Sequence, residues 1–103
     1  MSPRGPRKRK ISFLPDWEMY GPRDSSDSGQ IRLKVEELEA IRLNDHEGYS
    51  QQEAAEMMEV SQPTLHRILR AARKKIGQAL TEGKILHLHG GSYTVKKTEE
   101  EKK

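Results

Sequence analysis

Arg67, Arg70, Arg73, Lys74 and Lys75 form a basic cluster with no acid among them. Such groups suit a polyanion: they neutralise phosphates, and Arg carries paired donors that match guanine O6 and N7. The spacing sharpens that reading. Leu65, Ile68, Leu69, Ala72, Ile76 and Leu80 recur at helical intervals and define one buried stripe. Arg67, Arg70 and Lys74 then fall roughly 140° to 200° around the wheel from Leu65. A helix with an apolar back and a cationic front fits the DNA major groove. The plainer alternative is an antiparallel helix pair with a solvated charged face.

A recognition helix turns its N-terminal residues to the base edges. Ser61 is a good N-cap and Leu65 points inward, so Gln62, Pro63, His66, Arg67 and Arg70 are the candidate base readers. Gln62 can pair with adenine, Arg67 with guanine, and Pro63 can touch a thymine methyl. Ser61, Thr64, Arg73, Lys74 and Lys75 are the candidate phosphate contacts, Thr64 having a local bond near Ser61 as its alternative. Arg4, Arg7, Lys8, Arg9 and Lys10 are a second basic group, in a Pro- and Gly-containing stretch expected to be a disordered arm. Such an arm can lie along phosphates or in a minor groove, or serve only as a solubilising tail.

Other chemistry finds little support. His87 and His89 project to one side of an alternating Leu-His stretch, but no third metal ligand is fixed by spacing. With no cysteine there is no disulfide framework and no thiolate site. Gly90-Gly91 is too little for a phosphate loop, and no Ser-His-Asp arrangement is legible. Neither an enzyme, a metal nor a cofactor is expected.

Helices must position these groups. Ser50 with Glu53 makes a capping box that opens a short helix carrying Ala54, Ala55, Met57 and Met58. Glu59-Val60-Ser61 breaks it, and Pro63 is tolerated in the first turn of the next helix. Ala55 is small where two crossing helices approach, and Val60 can plug the turn. Glu59 stands where the turn usually has Gly, and a left-handed backbone there costs a non-Gly residue about 1 kcal/mol. Upstream, Val35, Leu38 and Ile41, helped by Ala40 and Leu43, give a third helix with charged outer faces. Lys34 offers no capping oxygen, and Gly48 supplies the stop. Ile11–Leu14 reads as an edge strand stopped by Pro15, with Trp17, Met19 and Tyr20 as apolar anchors. Ile31-Arg32-Leu33 leads into the first helix. Ile85–Leu88 reads as a strand expected to pair with Ile11–Leu14, within one chain or between two, and Tyr93–Val95 returns after Gly90-Gly91.

The 103 residues allow one small domain, and with 32% hydrophobic against 34% charged residues its core must be small. No apolar run approaches the ~18 residues of a membrane span. The basic N-terminus lacks an apolar h-region, so no secretory signal is read and a soluble cytoplasmic protein is expected. The net charge of +3 conceals segregation, because acids gather at Glu36, Glu37, Glu39, Asp45, Glu47, Glu53, Glu56 and Glu59.

From Leu38 to Leu80 the chain resembles region 4 of sigma-70-type factors, in which an acidic first helix precedes an EG-x-S loop and a helix-turn-helix. The wider arrangement resembles a small prokaryotic family of predicted DNA-binding proteins, the domain of unknown function numbered 134. The matching residues are Val35, Glu37-Leu38-Glu39-Ala40-Ile41-Arg42-Leu43, Asp45, Glu47-Gly48 and Ser50-Gln51-Gln52-Glu53-Ala54-Ala55-Glu56. They continue at Met58, Val60-Ser61, Gly83-Lys84, Ile85 to Leu88 and Gly90-Gly91. The chain departs from the family in lacking cysteine near its N-terminus. The resemblance implies DNA binding without implying a target.

The fold expected is mainly α: a three-helix helix-turn-helix core, sigma-70 region-4-like, with short flanking β-strands and a disordered basic N-terminal arm. Residues 1–10 would be the arm, 11–95 the domain and 96–103 a solvated tail. The expected function is double-stranded DNA binding in transcription regulation, nucleoid-associated, with the major groove read by the helix starting near Gln62. Docking on RNA polymerase or another protein is the alternative. One helix-turn-helix reads few base pairs, so a homodimer is expected on affinity grounds.

Overall fold

A computed structural model describes residues 8–24 and 29–95. Its elements are β1 (Arg9–Ile11), β2 (Met19–Tyr20), β3 (Gln30–Leu33), α1 (Val35–Ile41), α2 (Gln51–Met58), α3 (Gln62–Glu82), β4 (Ile85–Leu88) and β5 (Tyr93–Val95), and α1 runs on as a π-helical turn over Arg42–His46. The architecture is mainly α with short flanking strands, as the sequence implies.

The long helix α3 is the spine. At 21 residues it spans about 31 Å, and its two halves serve two cores. Its N-terminal half places Leu65 and Leu69 against Ala54, Ala55 and Met58 of α2 and Ala40 and Leu43 of the α1 segment. Ile41, Val60 and Ile68 close that cluster from its edge. Ala72 and Ala79, in its C-terminal half, pack with Ile11, Leu33, Val35, Leu86 and Leu88. Alternation in β4 turns Leu86 and Leu88 inward, while His87 is half-buried and His89 exposed.

The turn between α2 and α3 takes the strained form its sequence implies. Glu59 is left-handed, with φ 59° and ψ 46°. Its amide donates to the Glu56 carbonyl at 3.1 Å, and the Val60 amide to the Ala55 carbonyl at 3.0 Å. That pair of bonds is a Schellman closure, with Val60 packing back as the apolar residue after it. Ser50 and Ser61 cap their helices as expected, accepting from the amides of Glu53 and Thr64. The start of α1 is closed from inside, where the Glu37 carboxylate accepts the Lys34 amide at 2.8 Å. The Gly90 carbonyl accepts a further amide there, that of Val35, at 3.1 Å.

The strands depart from expectation. β1 covers Arg9–Ile11 rather than Ile11–Leu14, so Arg9 and Lys10 belong to a sheet and not to a disordered arm. The ladder ends there because the Ser12 amide turns to the Glu39 carboxylate at 3.0 Å. β1 pairs in parallel with β5, not with Ile85–Leu88. β4 is instead the centre of a three-stranded sheet, antiparallel to β2 and parallel to β3. Ile31-Arg32-Leu33, which leads directly into α1, is thus itself a strand. Among the expected anchors Trp17 packs on the core, but Met19 and Tyr20 stand exposed on the two-residue edge strand β2. Leu80 leaves the buried stripe altogether at 78% exposure, because β4 and the sheet meet α3 along Ile76 and Ala79 instead. Residues 1–7 and the expected 96–103 tail lie outside the described residues.

Leu65 is fully buried and Leu80 is not. Leu65→Ala should therefore cost about 2–5 kcal/mol in chemical denaturation and Leu80→Ala less than about 0.5 kcal/mol. Glu59→Gly should relieve the left-handed turn and raise stability by about 0.5–1 kcal/mol, whereas β-branched Glu59→Val should lower it. The same denaturation series reads both.

Candidate nucleic-acid interface

The outer surface of the first turns of α3 brings Gln62, Pro63, His66, Arg67 and Arg70 together, all exposed. Arg67 and Arg70 lie across the helix from buried Leu65, and Gln62, Pro63 and His66 are exposed beside them at the helix start. Arg70 borders a shallow depression with His66 and Leu69. One hydrogen-bonded chain runs along the helix start. The Ser61 hydroxyl donates to Thr64 Oγ1 at 2.9 Å, and Arg67 donates to the same oxygen at 3.1 Å. The Arg67 guanidinium is thereby held near the cap instead of sweeping free, which lowers the conformational entropy it would lose on binding.

The basic cluster does not act as one surface. Arg70 and Lys74 are exposed and make no side-chain hydrogen bond or ion pair among the described residues. Arg73 is different. It donates from Nη2 to Asp45 Oδ1 at 2.7 Å and to Asn44 Oδ1 at 2.9 Å, and from Nε to Asp45 Oδ2 at 3.2 Å. The hydrogen bond to Asp45 raises the guanidinium above its ordinary pKa. Lys75 is also withdrawn, with Nζ 2.8 Å and 3.0 Å from the two carboxylate oxygens of buried Glu37. Arg73 and Lys75, both among the candidate phosphate contacts, thus each hold a carboxylate of this chain, Arg73 in an exposed pair and Lys75 in a pair with buried Glu37. Ser61 and Thr64 likewise spend their hydroxyls locally. The sequence has no nearby signal for these pairings, because 38 positions separate Glu37 from Lys75 and 28 separate Asp45 from Arg73.

The acids on α1 are the groups that sequence reasoning misplaced. Glu36, Glu37 and Glu39 are 6%, 5% and 3% exposed, not spread over a charged outer face. Glu36 accepts the Ser92 amide at 3.0 Å. Glu39 accepts from the Ser12 amide and hydroxyl and from Nε and Nη2 of Arg42. That pairing raises Arg42 above its ordinary pKa, against the effect of its partial burial. Gly91 has φ 115°, and a Cβ there would overlap the Glu36 carboxylate. Gly90-Gly91 thus serves a close approach of backbone to α1, a role that the dipeptide alone does not announce.

Of the N-terminal basic group, Lys8 is exposed, Arg9 and Lys10 are half-buried in β1, and Arg4 and Arg7 lie outside the described residues. The rings of His87 and His89 stand edge to face at 5.2 Å. No group of three or more His, Cys, Asp or Glu side chains arranged for a metal occurs among the described residues. Nor is any helix among them long and apolar enough to cross a membrane.

Residues 1–96 match the family described as "Protein of unknown function DUF134". The chain belongs to that family. It is 48% identical over 91 residues to a UPF0251 protein of Caldicellulosiruptor bescii, a match covering 88% of this chain and 64% of the relative. A UPF0251 protein of Halothermothrix orenii is 44% identical over 96 residues, covering 91% and 71%. One from Clostridium botulinum strain Loch Maree is 43% identical over 96 residues, covering 91% and 61%. The chain thus spans less than two thirds of the length of the first of these relatives. No solved structure matches.

Lys74 and Lys75 are neighbours in the chain with opposite surroundings. Lys75→Met would leave Glu37 buried without its cation and should cost about 2–3 kcal/mol. Lys74→Met should leave stability within about 0.5 kcal/mol. Paired denaturation curves check the contrast.

Proposed function

We propose that this DUF134-family protein binds double-stranded DNA as a regulator of transcription, associated with the nucleoid. In this reading α2, the Glu59 turn and α3 form a helix-turn-helix whose α3 enters the major groove. The observation that carries it is the exposed start of α3, where Gln62, Pro63, His66, Arg67 and Arg70 all reach solvent while Leu65 and Leu69 are buried. Hydrogen-bonding side chains at the helix N-terminus and a cation two turns on have the distribution that a reader of base edges needs. Arg67 and Gln62 supply direct readout of guanine and adenine. Lys74 stands further along the straight helix, where the curved groove falls away and phosphates lie. The N-terminal basic residues Arg4, Arg7 and Lys8 add sequence-independent attraction to phosphates.

A second reading has one observation of its own. The outer face of α2 carries exposed Glu53, Glu56 and Glu59, with Met57 and nearby Tyr49 also exposed. An acidic face with large apolar side chains suits a basic protein surface such as one on RNA polymerase. It lies on a different helix from the cationic face, so protein docking can accompany DNA binding or replace it.

Binding-site selection from random duplexes separates the readings. Arg67→Ala should cost about 1–3 kcal/mol on the preferred site and relax preference at one position. Lys74→Ala should weaken all duplexes alike and reduce the log–log salt slope by about 0.9. If both variants keep the selected motif and differ only in affinity, α3 is not the reader. If the wild-type chain selects no duplex at all, the protein-docking reading takes its place.

A further inference from the structure

We propose that His66, Arg70 and Arg73 form a seat for one phosphate group, on the flank of α3 that meets the π-helical turn after α1. The proposal rests on the DNA-binding reading and deepens it: the phosphate is one of the duplex backbone, and His66 and Arg70 grip it instead of reading bases. With Leu69 the three residues line a shallow depression of about 130 Å³, and no acid is among the described residues that line it. His66, Arg70 and Arg73 are exposed, whereas Leu69 is buried beneath them.

The spacing makes one stripe of the three. His66, Arg70 and Arg73 fall about 100°, 140° and 80° around the wheel from Leu65, while Arg67 and Lys74 fall about 200° and 180°. These basic groups are thus divided between an outermost line and a flank. A helix in the major groove turns its outermost line to the base edges, and its flanks meet the phosphate strands that wall a groove about 12 Å wide. The bonds from Arg73 to Asn44 and Asp45 fix which flank carries the stripe.

Arg73 is oriented before any ligand arrives. Its Nε and Nη2 form a fork on the Asp45 carboxylate, and Nη2 also donates to Asn44 Oδ1. Nη1 has no acceptor among the described residues. Asp45 offsets part of the positive charge, but it holds the guanidinium in one orientation, so less freedom is lost on binding. Arg70, one turn earlier, supplies a charge with no acid paired to it among the described residues. His66 adds a ring N–H donor. The chemistry of the donors identifies the ligand. A carboxylate is satisfied by a single guanidinium fork, as Asp45 is on Arg73. Donors from three side chains around one depression suit an anion whose oxygens point in several directions, which is a phosphate.

The test uses the whole chain on its selected duplex, with each backbone phosphate replaced in turn by an uncharged methylphosphonate. One position should weaken wild type about tenfold. The same replacement should leave Arg70→Ala and Arg73→Ala nearly unaffected, since each has already lost the seat. Both variants should keep the selected motif and their helical circular dichroism, because both residues are exposed. Different sensitive positions for Arg70 and Arg73 would mean two separate contacts and overturn the proposal. So would an Arg70→Ala variant that relaxes the motif at one base pair, which would make Arg70 a reader. A chain that binds no duplex defeats the DNA reading, and inorganic phosphate then decides the seat. Phosphate-dependent NMR shifts confined to His66, Arg70 and Arg73 would keep the seat and assign it to free phosphate. No shift at these side chains would overturn it.

Discussion

Three carboxylates on one short helix have to be buried, and the positions of the surrounding segments follow from how they are satisfied. A buried charge is tolerable only when it is paired and hydrogen-bonded. Glu37 is met by Lys75 on α3, and Glu39 by Ser12 at the exit of β1 and by Arg42 one turn along its own helix, while Glu36 accepts the Ser92 amide beside β5. The acidic helix is therefore a junction. It holds both strands of the small parallel sheet against the helices and sets where the N-terminal segment enters the domain.

The same junction edits the surface. By holding Lys75 on Glu37, and by placing Asp45 within reach of the exposed Arg73, the α1 segment pairs two of the five cations in the α3 cluster. The charge not paired with an acid is left on Arg67, Arg70 and Lys74, and Arg67 is tethered through Thr64 to the helix cap. Stability and surface chemistry are thus coupled, since the pairings that compensate buried acids also decide which basic groups remain for an anionic partner.

α3 carries out three tasks along one continuous helix. Its first turns present polar and cationic groups outward, its middle seals the helical core, and its last turns lie on the sheet with Ile76 and Ala79 while exposing Leu80. Such a division needs a rigid element, and 21 residues without an internal proline beyond Pro63 in the first turn provide one.

Local rules fixed much of this in the sequence. Ser50 with Glu53, Ser61 before Pro63, and the Leu65-Leu69-Ala72 spacing decide where α2 and α3 begin and which face turns inward. They also determine the exposed set Gln62, Pro63, His66, Arg67 and Arg70. The strain at Glu59 was legible too, because a three-residue turn between helices needs one left-handed residue whatever its type. What the sequence could not determine was every pairing across a long separation. Glu37 with Lys75, Asp45 with Arg73 and β1 with β5 leave no periodic trace, so the acids of α1 look solvated and the α3 cluster looks uniformly available. Leu80 fits the helical stripe as well as Ala79 does, and only the angle at which the sheet meets α3 puts one inside and the other in solvent. Periodicity and capping are properties of neighbours in the chain. Charge pairing and the edge of a buried face are properties of neighbours in space, and these only the tertiary structure decided.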